Sequence, residues 1–216
     1  MVWNLDLSNA INTLKTPFPR WPKIDIKIIE DLSVLSTIKE GLVAFDYETT
    51  GVKPQGKGHR IVCASIAVSS SLVYVFMMPK SKKEREPFLE LLKNPNVGKM
   101  AHNMKFEDHW TEVKLKTSIF NWTWDSMLAA HILDNRTGVT GLKYQAFVRF
   151  GVRDYDSEIT PYLQAEGSND INKIGELIDK PGGQEKLLEY CALDSIYQYR
   201  LAMLQMKEIE YDFLPF

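Results

Sequence analysis

From residue 42 onward, short β-forming apolar runs alternate with longer stretches of helical spacing, and that alternation predicts an α/β domain. LVAFDYE (42–48) is apolar on both alternating faces, the pattern of a central strand covered on each side. A Gly/Pro/Lys loop (51–58) separates it from RIVCASIAV (60–68) and LVYVFMM (72–78). Only Ser69, Ser70 and Ser71 lie between those two runs, which predicts an antiparallel hairpin. Residues 82–93 are charged, with apolar positions at Phe88, Leu89 and Leu92, and predict a surface helix. GKMAH (98–102) predicts a short strand, 103–116 a helix, WTW (122–124) a strand end and DSMLAAHILD (125–134) another helix. Helices should fill most of 141–210, the last beginning near Gln184. A hairpin followed by βα units makes the expected sheet mixed.

Residues 1–35 break the pattern. Trp3, Phe18 and Trp21 stand among Pro17, Pro19 and Pro22, which favour extended or turn backbone. The expected division is an N-terminal appendage (1–35) on a domain spanning 36–216.

Composition narrows the function classes. The longest apolar runs fall well short of the roughly 18–20 residues that span a bilayer, so no membrane segment is expected. The first twenty residues lack a basic start followed by an apolar block, so no signal peptide is expected either. Two cysteines, Cys63 and Cys191, sit far apart in apolar stretches, which excludes a disulfide framework and a cysteine zinc site and points to a reducing cytoplasm. With 26 basic and 28 acidic residues, the net charge of −2 excludes coating of nucleic acid by bulk charge. A polyanion would have to be handled by a local site.

Three stretches carry candidate chemistry. Asp46 and Glu48 lie two apart in a strand and so project from one face. Side by side, they either open a polar loop or share a cation that relieves their repulsion. Leu187, Tyr190, Asp194, Tyr197 and Leu201 follow a three–four spacing that forms one helical stripe. Asp194 on that apolar stripe requires a partner: a metal, a helix end or Arg200. In HNMKFEDHW (102–110), Phe106 and Trp110 mark the buried side of a helix. On that wheel Glu107 lies about 100° from Phe106 and Asp108 about 200°. Glu107 shares a flank with Asn103, and Asp108 is the alternative acid. The four histidines show no clustered metal-ligand spacing, so hard oxygen ligands, and with them Mg²⁺ or Mn²⁺, are favoured. Phe106, Trp110, Tyr144 and Tyr197 read as core. Lys53, Lys57 and Arg60 form a loop that either contacts phosphates or is solvated.

Taken together, FDYETTG (45–51), AHNMKF (101–106) and YCALD (190–194) resemble the three motifs of DEDD-type 3′–5′ exonucleases. The Tyr190–Asp194 spacing matches the subgroup with tyrosine in the third motif. WDSMLAAHILD followed by GLKYQA is similar to the segment between the second and third motifs in the proofreading domain of family A, DNA polymerase I-like, polymerases. The similarity covers residues 36–207. One departure is Glu107, where the family usually has Asp. The resemblance implies a ribonuclease H-like three-layer α/β fold, a mixed central sheet flanked by helices. It also implies two divalent cations, Mg²⁺ or Mn²⁺, held by Asp46, Glu48, Glu107 and Asp194. Tyr190 would orient the attacking water, with Thr49 and Asn103 near the terminal nucleotide. The implied activity is removal of nucleoside 5′-monophosphates from DNA 3′ ends, single-stranded or frayed, as in proofreading during DNA replication. The chain is expected in the cytoplasm of a bacterial or phage-infected cell, free-standing or beside a polymerase domain or subunit. Ribonuclease D-like trimming of RNA 3′ ends is the alternative, as is a non-catalytic domain that docks on nucleic acid or a polymerase.

Overall fold

The computed structural model describes Leu7, Ile11 and residues 20–213. Its framework is a six-stranded mixed sheet: β1 (Asp25–Ile28), β2 (Gly41–Thr49), β3 (Ile61–Ala67), β4 (Leu72–Met77), β5 (Val97–Ala101) and β6 (Trp122–Asp125). The spatial order is β1-β4-β3-β2-β5-β6. β2, β3 and β4 run antiparallel in succession, whereas β1 pairs parallel with β4, β5 with β2, and β6 with β5. The Ser69–Ser71 turn closes the predicted hairpin through the Ser69 hydroxyl, which accepts from the Leu72 N–H at 3.0 Å.

Helices cover both faces. α1 (Lys82–Lys93), α2 (Met104–Trp110) and a 3₁₀ segment (Leu32–Thr37) pack on one side. α3 (Ser126–Leu133), α4 (Leu142–Phe150), α5 (Thr160–Leu163), α6 (Ile174–Ile178) and the long α7 (Gly183–Phe213) lie on the other. Alternation along β2 sets this up. Val43, Phe45 and Tyr47 enter a cluster with Phe88, Leu92 and Trp110, while Ala44 enters a second cluster with Leu187, Cys191 and Ile196 of α7. Asp46 and Glu48 share the register of Ala44, so they face α7.

Three expectations shift. β1 lies within residues 1–35 and pairs with Leu72–Val75, so the sheet begins upstream of residue 36; Trp3, Pro17, Phe18 and Pro19 fall outside the described residues. The helix expected over 103–116 ends as an α-helix at Trp110 and continues as a single wide turn over Thr111–Leu115. Of the expected core aromatics, Trp110 and Tyr197 are buried and Phe106 partly so, but Tyr144 is exposed because it sits on the outer side of α4. No helix of the described residues is long and apolar enough to cross a membrane.

Candidate active site

The two acids of β2 sit where that strand leaves the core. Asp46 and Glu48 bring a carboxylate oxygen each to within 4.8 Å of one another and of the Cys191 sulfur on α7. A register shift between Glu48 and Thr49 makes the pairing with β3 irregular just past them, where it resumes at Thr49 opposite Ile61. The Gln198 side chain, one helical turn beyond Asp194, donates to Asp46 Oδ1 at 2.8 Å. Cys191 and Cys63 are both buried free thiols, and the fold makes them neighbours despite their distance in sequence.

The acids feel one another. Burial, and then the Asp194 charge, pushes the Asp46 carboxyl from 3.8 up to about 8. Burial followed by Asp46 holds Glu48 well above the ordinary carboxyl range, and the same two causes, in that order, raise Glu107. Glu107 is 2% exposed, and its Oε2 has no hydrogen-bond partner among the described residues. An ionised carboxylate left in that state is costly, so the position calls for a proton or a cation. Asp108, one residue on, is exposed and accepts from the Trp122 indole N–H at 3.1 Å on the outside of the molecule.

The stripe on α7 is buried throughout at Leu187, Tyr190, Asp194, Tyr197 and Leu201. Asp194 pairs neither with Arg200 nor with a helix end. Arg200 is taken by the Ser70 and Pro22 carbonyls at 2.8 and 2.9 Å, its guanidinium lying 5.3 Å from the Trp21 ring centroid. Instead, Asp194 Oδ1 receives the Lys143 ammonium of α4 and the Tyr155 hydroxyl, the latter at 2.6 Å. Tyr190 is raised above the ordinary phenol range by burial, then by Asp194, Glu48 and Asp46, so it remains a neutral hydroxyl. A groove of about 310 Å³ opens beside Tyr155 and Tyr190.

Two further expected residues have mixed placements. Thr49 is buried, its hydroxyl donating to the Gly51 carbonyl at 2.7 Å. Asn103 begins α2 in a left-handed conformation (φ 80°), and its backbone rather than its side chain makes the capping contact. The cap is Asp125, a residue outside the three motif stretches. Its carboxylate accepts from the N–H groups of Asn103, Met104, Met127 and Leu128 at 2.9–3.2 Å, closing the starts of both α2 and α3. Lys53 donates to Ser168 and Asn169 at 3.1 Å, and Asn172 donates to the Thr49 and Thr50 carbonyls at 2.9 Å. The loop after β2 is thereby tied to residues 168–172. Gln198 is not among the expected residues although its i+4 spacing to Asp194 marks it, whereas Lys143, Tyr155 and Asp125 carry no periodic signal.

Residues 26–210 match the 3′–5′ exonuclease family model, and the chain belongs to that family. Membership indicates nuclease chemistry dependent on divalent metal. The fold is that of ribonuclease H-like DEDD exonucleases. Brucella melitensis NrnC bound to pGG superposes with a TM-score of 0.63 at 19% identity, over 88% of this chain and 84% of that one. Escherichia coli RNase D, an exoribonuclease involved in structured RNA processing, gives 0.62 at 14% identity over 88% and 46%. The POL domain of Mycobacterium smegmatis Pol1, in complex with DNA primer-template and dNTP, gives 0.59 at 12% over 87% and 28%. No curated protein matches the chain. The residues present suit the divalent metal on which the family depends. Asp46, Glu48 and Glu107 offer hard oxygen donors, one of them unpartnered, and the adjacent Cys191 thiol is kept protonated by burial.

Proposed function

We propose that the chain is a metal-dependent exonuclease that hydrolyses phosphodiester bonds at the 3′ end of DNA, single-stranded or frayed, and releases nucleoside 5′-monophosphates. The observation that carries this reading is that carboxyl groups from β2, α2 and α7 (Glu48, Glu107 and Asp194) each interact electrostatically with Asp46, beside the neutral Tyr190 hydroxyl. Asp46, Glu48, Glu107 and Asp194 are the residues that would hold two divalent ions, Mg²⁺ or Mn²⁺. Ions bound there supply charge neutralisation for the phosphate and a lowered pKa for a water. Tyr190 acts through a neutral hydroxyl: it holds the attacking water in line with the phosphorus and does not take its proton. The oxygen–phosphorus bond to the penultimate 3′ oxygen breaks; the proton given up by the water passes to solvent, and the departing 3′ oxygen takes one from solvent to leave as a hydroxyl. Asn103, at the start of α2, and Thr49, at the exit of β2, would both lie next to the terminal nucleotide.

RNA 3′-end trimming is the second reading, favoured by the likeness of the exoribonuclease RNase D to this chain at a TM-score above that of Pol1. Labelled DNA and RNA oligonucleotides of identical sequence, digested with Mg²⁺, Mn²⁺ or EDTA, separate the two. The expected result is stepwise loss of mononucleotides from DNA, abolished by EDTA and slowed by a 3′-phosphate. Faster loss from RNA would install the second reading. Cleavage undiminished in EDTA would overturn the metal site, and early internal fragments would overturn the exonuclease.

A further inference from the structure

Lys143 lies on α4, outside the three carboxylate-bearing segments, yet its ammonium pairs with Asp194 Oδ1. The same ammonium stands 4.3 Å from the Tyr155 ring centroid and 4.2 Å from that of Tyr190. Two aromatic faces and one carboxylate therefore hold it, and Tyr155 adds a hydrogen bond to the same Asp194 oxygen. Its field reaches further, drawing down the carboxyls of both Asp46 and Glu48 against their neighbours' repulsion. The Asp194 side chain is 9% exposed and that of Lys143 33%, so the lysine has a path to solvent that the aspartate lacks. A compact charge on a flexible four-carbon stem can withdraw along that path.

We propose that Lys143 is a tethered counter-ion: it neutralises Asp194 in the metal-free protein and leaves Asp194 when a divalent ion binds there, so that pairing and loading compete. This rests on the metal-holding reading of the four acids. A lysine that occupies Asp194 about nine-tenths of the time leaves a binding-competent fraction of about a tenth, which weakens the apparent metal affinity about tenfold.

The test measures Mn²⁺ binding to the intact chain without substrate, from the electron paramagnetic resonance signal of free Mn²⁺. Lys143→Met keeps the apolar stem against the tyrosines and removes the charge, so it should bind Mn²⁺ about tenfold more tightly than wild type. Lys143→Arg keeps the charge and should show no such gain. A wild-type measurement guards against a variant that does not fold. Acetylation of Lys143 by acetic anhydride, read by mass spectrometry against exposed Lys186, should rise when Mn²⁺ is added. Equal or weaker binding by Lys143→Met, or acetylation unchanged by Mn²⁺, overturns the proposal while leaving the metal site standing. If neither wild type nor Lys143→Met binds Mn²⁺, the metal-holding reading itself fails.

Discussion

Removing divalent ions should cost the fold more stability at neutral than at acid pH, and the acids of β2 and α2 set the size of the effect. Asp46 is raised from 3.8 to about 8, and Glu48 and Glu107 stand well above 4.5. A carboxyl raised on folding keeps its proton in the folded chain after the unfolded chain has lost it. Its contribution is fully present below the unfolded pKa and disappears as pH climbs towards the folded one. For Asp46 that window runs from about 4 to about 8, at about 1.4 kcal/mol per pH unit. Metal binding has the opposite dependence, because the ion must expel those protons, so affinity rises about tenfold per pH unit for each proton displaced. Between about pH 5 and pH 7, one displaced proton adds about 2.7 kcal/mol to the stabilisation given by excess Mg²⁺. In a domain of this size each kcal/mol moves Tm by about 2–4 °C, so the increment should grow by about 5–11 °C over that range. Thermal melts followed by circular dichroism, in EDTA and in MgCl₂ at matched ionic strength, give the increment at each pH. An increment of the same size at both ends of the range would mean that the acids are already ionised without metal, and would refute the reasoning.

Two substitutions probe the neighbouring features. Glu107→Ala should lower the hydrolysis rate by about a thousandfold or more, and Asp108→Ala should change it little, with both proteins folded by circular dichroism; the reverse pattern would make Asp108 the ligand. Asp125→Ala removes the cap from two helices at once and should cost about 2–4 kcal/mol in chemical denaturation, and a loss below about 0.5 kcal/mol would contradict its capping role.

The sheet and the long helix were legible because their periodicities are strong. β2 is apolar on both faces, and α7 shows a stripe in which Asp194 is the single acid. β1 was not, because DIKI is four residues long, mostly exposed, and preceded by a proline-rich stretch. The wide turn after Trp110 was equally hidden, since one residue of extra winding barely alters an apolar pattern over five positions. Of the site, the spacing showed which face each acid occupies, but not what meets it there. Lys143 and Tyr155 reach Asp194 from 51 and 39 residues away, and Cys63 meets Cys191 only because β3 packs under α7. Contacts of that kind are consequences of packing, and local pattern contains no trace of them.

The contrast between Asp125 and Glu107 explains why acids of similar chemistry take different parts in this fold. Asp125 is buried, and four backbone N–H groups converge on its carboxylate, so its charge is already answered by two helix starts. Glu107 is buried on the helix that Asp125 caps, but its Oε2 meets no donor and the strongest charge acting on it is that of another acid, Asp46. One arrangement gains stability from a negative charge, whereas the other gains it only from a proton or a cation. Asp194 stands between them, its charge met by a lysine that has a path to solvent and by a tyrosine hydroxyl. The capping aspartate holds α2 in place, and that placement keeps an under-satisfied carboxylate within the electrostatic reach of Asp46 on β2. The stability of the scaffold is in this way what maintains the electrostatic deficit that a divalent ion would fill.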